Sequence, residues 1–333
     1  MTDGLPALEL VGAAIGEGAG DSGCKYGAQA LRELGLARAL TEAGALVEEG
    51  TTVVSDPLHA DDRLGVVEDF SPRLAAVVQD VIACGRFALV IGGDHSCAVG
   101  TWSGVAQALR PQGAMGLVWI DAHLDAHTPQ TSETQAPHGM PLAALMGHGR
   151  PGLTDLFGWR GKLRPEHLVI IGARSYEDGE RALLERLGVR VMYMPEVQER
   201  GFAACFQEAR ARVRQGTAGW GISFDVDALD PADAPGTGTP VDTGIRLDDA
   251  LRVLESCIAD PQLKAFELAE YNPLRDLRGR TARAVSALLT SALTVRTALA
   301  ARRPAARSRA SLPAPLSAGP RSWRRTWSLP ASR

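Results

Sequence analysis

Cysteine is scarce and unpaired in this chain of 333 residues. Its five cysteines (Cys24, Cys84, Cys97, Cys205 and Cys257) form no C-x-x-C pair, which excludes a disulfide scaffold and a thiolate zinc site. Aromatic residues make up only 5%. Long apolar runs are missing too. The most apolar long stretch, Ala284 to Ala301, carries Arg296 and several Ser and Thr, so it reads as an amphipathic helix and not as a membrane span. Residues 1–8 contain Asp3 and no basic start ahead of an apolar core. No secretory signal is read there, and a cytoplasmic location is expected. The net charge is small, −4, which argues against a dedicated nucleic-acid binder. An apolar share of 45% argues against disorder throughout.

What is present is alternation. Short apolar runs read as strands at Leu8–Ala14, Thr52–Val54, Phe87–Ile91, Gly116–Ile120, Leu168–Gly172, Val189–Met194, Gly221–Asp225 and Ala265–Leu268. Several are apolar at every position, as buried parallel strands are. Helical patterns lie between them, at Ala28–Glu42, Ser71–Cys84, Glu180–Leu187, Ala203–Arg214, Leu247–Ala259 and Thr281–Ala301. Strand–helix alternation predicts an α/β fold, a mostly parallel sheet with helices on both faces. No linker interrupts the pattern before residue 302. Residues 302–333 differ: they hold eight arginines and no acidic residue. They read as a basic tail, disordered or loosely docked, following a folded domain of residues 1–301.

Three acidic segments sit at the carboxyl ends of expected strands. They are Gly92-Gly93-Asp94-His95-Ser96, Asp121-Ala122-His123-Leu124-Asp125 and Ser223-Phe224-Asp225-Val226-Asp227. In open α/β sheets, ligands bind at the carboxyl ends of the strands. Residues two apart in extended chain point the same way, so Asp121, His123 and Asp125 converge, as do Asp225 and Asp227. With His95 this makes four carboxylates and two imidazoles. Such a set needs neutralising charge. Two divalent cations would supply it, and carboxylate–imidazole ligation without thiolate favours a hard or borderline metal such as manganese.

These segments, in this order, resemble the signature motifs of the ureohydrolases, the arginase and agmatinase family. The third continues through Ala228-Leu229-Asp230-Pro231 to Gly236-Thr237-Gly238-Thr239-Pro240, as that family's does. The resemblance implies a three-layer αβα sandwich and a hydrolase that cleaves a guanidinium group. It implies that His95, Asp121, Asp125 and Asp225 hold one manganese ion, and that His123, Asp121, Asp225 and Asp227 hold the other. A hydroxide bridging two such ions forms near neutral pH and would attack the guanidinium carbon. Asp125 would help carry a proton to the departing amine. Glu270, in Glu270-Tyr271-Asn272-Pro273, would pair with the guanidinium, and His138 would deliver protons.

The run Thr128-Pro129-Gln130-Thr131-Ser132-Glu133-Thr134 resembles arginases more than agmatinases. The resemblance gives Ser132 and Thr134 to the substrate α-carboxylate and Glu177 and Glu180 to its α-amino group. His127 stands where arginases often have asparagine, and Glu177 where they usually have aspartate. The implied reaction is L-arginine to L-ornithine and urea, with agmatine or guanidinobutyrate as the alternative substrate. The family further implies a homo-oligomer, a trimer or hexamer, with no nucleic-acid or membrane partner.

Overall fold

The computed structural model describes residues 5–56 and 62–295. The basic stretch 302–333 and the end of the last expected helix lie outside the described residues. Eight strands form one sheet: β1 (Leu8–Ala14), β2 (Val47–Val54), β3 (Phe87–Ile91), β4 (Ala114–Ile120), β5 (Leu163–Ile171), β6 (Arg190–Met192), β7 (Thr217–Asp225) and β8 (Leu263–Ala269). Their order is β2-β1-β3-β8-β7-β4-β5-β6. Every pairing is parallel, so the expected mostly parallel sheet is parallel throughout.

The layers follow from side-chain alternation. All five residues of β3 are buried. Phe87, Leu89 and Ile91 join one apolar cluster, and Ala88 and Val90 join the other. A strand buried on both faces needs a helix layer on each. One face is covered by the helices Arg63–Ala83 and Ala98–Leu109, through Val66, Phe70, Leu74, Trp102 and Val105. The other is covered by Gly27–Glu33, Leu36–Glu42, Phe202–Arg214 and Arg280–Leu293, through Leu31, Leu40, Phe206 and Leu288. This is the three-layer αβα sandwich. Among the described residues no helix is long and apolar enough to cross a membrane.

Element ends depart from the sequence reading for local reasons. The pattern over Ala28–Glu42 breaks in two at Gly35, whose φ of +84° is a left-handed turn open to glycine. The helix ending at Ala83 starts at Arg63 instead of Ser71, capped by Asp62 accepting from the Gly65 N–H, and it runs through Pro72. The segment Leu247–Ala259 is helical only to Val253, and Ser256 turns left-handed before a short 3-10 turn, Cys257–Ala259. β2 reaches back to Val47 because its half-exposed edge tolerates Glu48 and Glu49. Met194 opens a helix, Met194–Arg200, instead of ending β6.

Topology is what assembles the chemistry. The central strands β3, β8, β7 and β4 are consecutive neighbours. The three acidic segments lie at the carboxyl ends of β3, β4 and β7, and Glu270 follows β8. Residues as far apart as 95 and 270 therefore end on one edge of the sheet. The loops there are also tied together: Gly92 N–H donates to Leu268 O at 2.7 Å and Glu270 N–H to Gly93 O at 2.8 Å.

Candidate active site

His95 lies just past β3, in a turn that Asp94 caps by accepting from the Ser96 N–H. Its Nδ1 faces three carboxylate oxygens: Asp225 at 2.9 Å, Asp125 at 3.1 Å and Asp121 at 3.2 Å. His123 Nδ1 lies 3.2 Å from Asp227 and 3.4 Å from Asp121. The structure thus brings all six expected ligands together. Asp121 faces both histidines with different oxygens. Asp225 groups with His95, and its other oxygen accepts the Asp227 N–H. Asp125 holds a left-handed backbone, φ 46°. Glu270 does too, at φ 64°, and such strain in a non-glycine residue collects at functional sites.

The charges of this cluster compensate one another only with protons or cations present. Burial opposes a charged His95, yet the carboxylates of Asp121, Asp125 and Asp225 beside it hold its pKa well above the usual imidazole value. His123 behaves likewise, through Asp227 and Asp121. Asp125 is pushed up to about 6 by burial and by the Asp121 charge, against the pull of the two histidines. Burial also raises Asp225, with Asp227 and Asp121 adding to it. Asp121 is held low by His123 and His95 despite complete burial. The residues fit a metal pair by a direct test: His95 Nδ1 is a buried nitrogen with no hydrogen-bond partner of good geometry, aimed into three carboxylates.

The surroundings of the cluster contain groups that the sequence reading passed over. His95 Nε2 meets Ser223 Oγ at 3.0 Å, and Ser223 donates to Glu267 Oε1 at 2.8 Å. Trp102 Nε1 donates to the same oxygen at 3.0 Å. Its ring occupies the space where a β-carbon at Gly221 would fall. Trp119 stacks on His95 with centroids 4.1 Å apart and donates to Asp121 Oδ2 at 2.8 Å. Such outer partners orient metal ligands and set their tautomers. Thr239 donates to Asp227 Oδ2 at 3.0 Å, and Arg174 donates to the Asp227 carbonyl at 2.7 Å. Two signals pointed to part of this set. Trp119 and Ser223 each precede a ligand by two residues, and Glu267 is a charge inside an apolar strand.

Above the cluster opens a cavity of about 250 Å³. Glu270 and His138 stand in its wall with Asp125. Glu270 accepts from the His95 N–H at 2.9 Å, lies 3.2 Å from His138 Nδ1 and accepts from Cys24 Sγ at 3.2 Å. Burial opposes the Glu270 charge, but His138 and these donors hold its pKa low. The same contact raises His138 to about 9 against its burial. His127, Ser132, Thr134, Glu177 and Glu180 line the mouth of this cavity. Glu180 accepts from the Ala126 and Glu177 N–H groups, each at 3.1 Å, and burial pushes it up to about 8. His127 Nε2 contacts Glu177 and lies 3.4 Å from Glu180. Ser132 accepts from the Gln135 N–H, and Thr134 from the Ala136 N–H.

The family model for the arginase family matches residues 7–294. The chain belongs to the arginase family. It is 39% identical over 290 residues to the arginase of Brevibacillus brevis, covering 85% of this chain and 96% of that one. Identity to the arginase of Bacillus caldovelox is 36% over 295 residues, covering 86% and 98%. The crystal structure of arginase from Bacillus subtilis superposes with a TM-score of 0.81 at 33% identity, covering 87% of this chain and 99% of that one. The protein is thus an arginase-type ureohydrolase, a hydrolase acting on linear amidines.

Proposed function

We propose that the protein hydrolyses L-arginine to L-ornithine and urea with two manganese ions bound by His95, Asp121, His123, Asp125, Asp225 and Asp227. The observation that carries this reading is one cavity, in which four of the six ligands, His123, Asp125, Asp225 and Asp227, share the wall with Glu270 and with a mouth of hydroxyls and carboxylates, while His95 and Asp121 lie buried beneath. Carboxylates with imidazoles and no thiolate suit manganese. When bound, the metal pair supplies a water activated as a nucleophile at neutral pH.

The chain's own residues supply aim and proton transfer. Glu270, kept ionised by His138 and the His95 N–H, is a carboxylate fork for the planar guanidinium. Fixing the guanidinium there presents its carbon to the ligand cluster. His138 stands beside that fork, where a proton is available for the departing amine. Asp125, in the wall of the same cavity, is the carboxylate placed to pass a proton on. At the mouth, Ser132 and Thr134 each already accept a backbone N–H. Their hydroxyl protons are left to donate to an α-carboxylate. Glu177 and Glu180 face the α-ammonium.

The test is urea release by manganese-reconstituted protein with arginine, agmatine and guanidinobutyrate. Turnover of arginine above the other two is expected. Turnover of agmatine without arginine would contradict the substrate assignment and leave the metal chemistry standing.

A further inference from the structure

Beyond the ligand cluster, the described residues bring together one more set of cation-binding groups: His127, Glu177 and Glu180. One donor atom from each lies within 4.8 Å of the others. His127 Nε2 contacts Glu177 Oε2 and stands 3.4 Å from Glu180 Oε2. Two donors about 2.05 Å from a tetrahedral zinc would sit about 3.3–3.4 Å apart.

The far side of the His127 ring is held as well. Its Nδ1 lies 3.1 Å from Thr131 Oγ1, which also accepts from the Thr128 N–H. Nε2 faces the carboxylates of both Glu177 and Glu180. A hydrogen bond at the far ring nitrogen is how metal-ligating histidines are oriented. His127 and Glu180 are buried, whereas the Glu177 side chain is 67% exposed. Two ligands are preset, a third can swing, and the cavity leaves an entry path and room for water.

We propose that His127, Glu177 and Glu180 form a separate cation site at the pocket mouth, selective for a divalent ion of the zinc class. Zinc there occupies the carboxylates assigned above to the substrate ammonium, so it competes with arginine. That competition rests on the arginine reading; occupancy by zinc does not.

The test uses manganese-loaded, full-length protein equilibrated with zinc alone. Elemental analysis follows both metals, and zinc-edge X-ray absorption reads the ligands. One zinc per chain is expected beyond two retained manganese ions, with an imidazole nitrogen among neighbours at about 2.0–2.1 Å. His127→Asn should weaken zinc at least about tenfold, and Thr131→Val by up to about tenfold, with manganese content unchanged. Zinc uptake matched by manganese release, or zinc affinity equal in His127→Asn and the parent, overturns the proposal. L-ornithine should displace the zinc. If zinc binds and ornithine leaves it in place, the site stands and the arginine reading fails. If arginine is hydrolysed and no further zinc binds, the proposed site fails and the arginine reading stands.

Discussion

The floor and the mouth of the cavity use the same residue types under opposite constraints. On the floor, His95 is 1% exposed and Asp121 is fully buried. Each is pinned by side chains of the sheet: Ser223 of β7 and Trp119 of β4 for His95, and Trp119, two residues earlier in the chain, for Asp121. At the mouth, Glu177 belongs to a loop, has a side chain two-thirds exposed, and contacts His127 and the helix start it caps. A buried charge without its partners carries a large penalty, so the floor has few workable alternatives. An exposed carboxylate loses little when lengthened by one methylene. The two departures noted from the usual arginase pattern, His127 and Glu177, both lie at the mouth. On the proposed reading, chemistry sits at strand ends and selectivity in the loops laid over them, the division expected when function is carried by loops on a rigid scaffold.

Substitutions can break this contrast. Asp121→Ala removes the carboxylate facing both histidines, so activity should fall to near zero and bound metal should drop. Urea assays with elemental analysis check both, and an active, metal-replete variant would contradict the assignment. Glu270→Gln should retain metal but lower kcat/KM by on the order of 10²-fold, the scale of misaligned reactants. Equal kinetics would remove the guanidinium fork. Glu177→Asp should change KM by no more than about fivefold, since an exposed ion pair contributes at most about 1 kcal/mol, with kcat and metal content steady. A collapse of kcat there would erase the distinction between floor and mouth.

Two smaller effects sharpen the picture. His138 has a folded pKa near 9, above the ordinary imidazole value of about 6.5. Its pairing with Glu270 therefore stabilises the metal-free fold fully below about pH 6.5, and that stabilisation is lost as pH rises through about 9. Thermal melts of metal-free parent and His138→Asn should differ most at low pH and converge towards pH 9. A gap that widens instead would refute the pairing. Ending the chain before Arg302 should leave urea production unchanged, because every residue assigned a role lies earlier.

Most of this was legible in the residues. The strands announced themselves by being apolar on both faces, and the ligands by period-two spacing after β4 and β7. Helix ends were harder, because Gly35 and Pro72 are ambiguous marks. Gly35 breaks its helix, whereas Pro72 does not. Ser223, Trp119 and Glu267 went unassigned because their roles depend on which strands are adjacent. That β8 lies between β3 and β7 is a property of the packed sheet and leaves no trace in spacing. The contact between His127 and Glu177, fifty residues apart, was hidden for the same reason.

The central claim is that six side chains from three segments hold two ions that the hydrolysis requires. Manganese titrated into metal-stripped protein, with urea production and bound metal followed together, tests it most directly. Activity should be absent at the start and reach its maximum at two ions per chain. Full activity in stripped protein, or a plateau at one ion, would contradict the account.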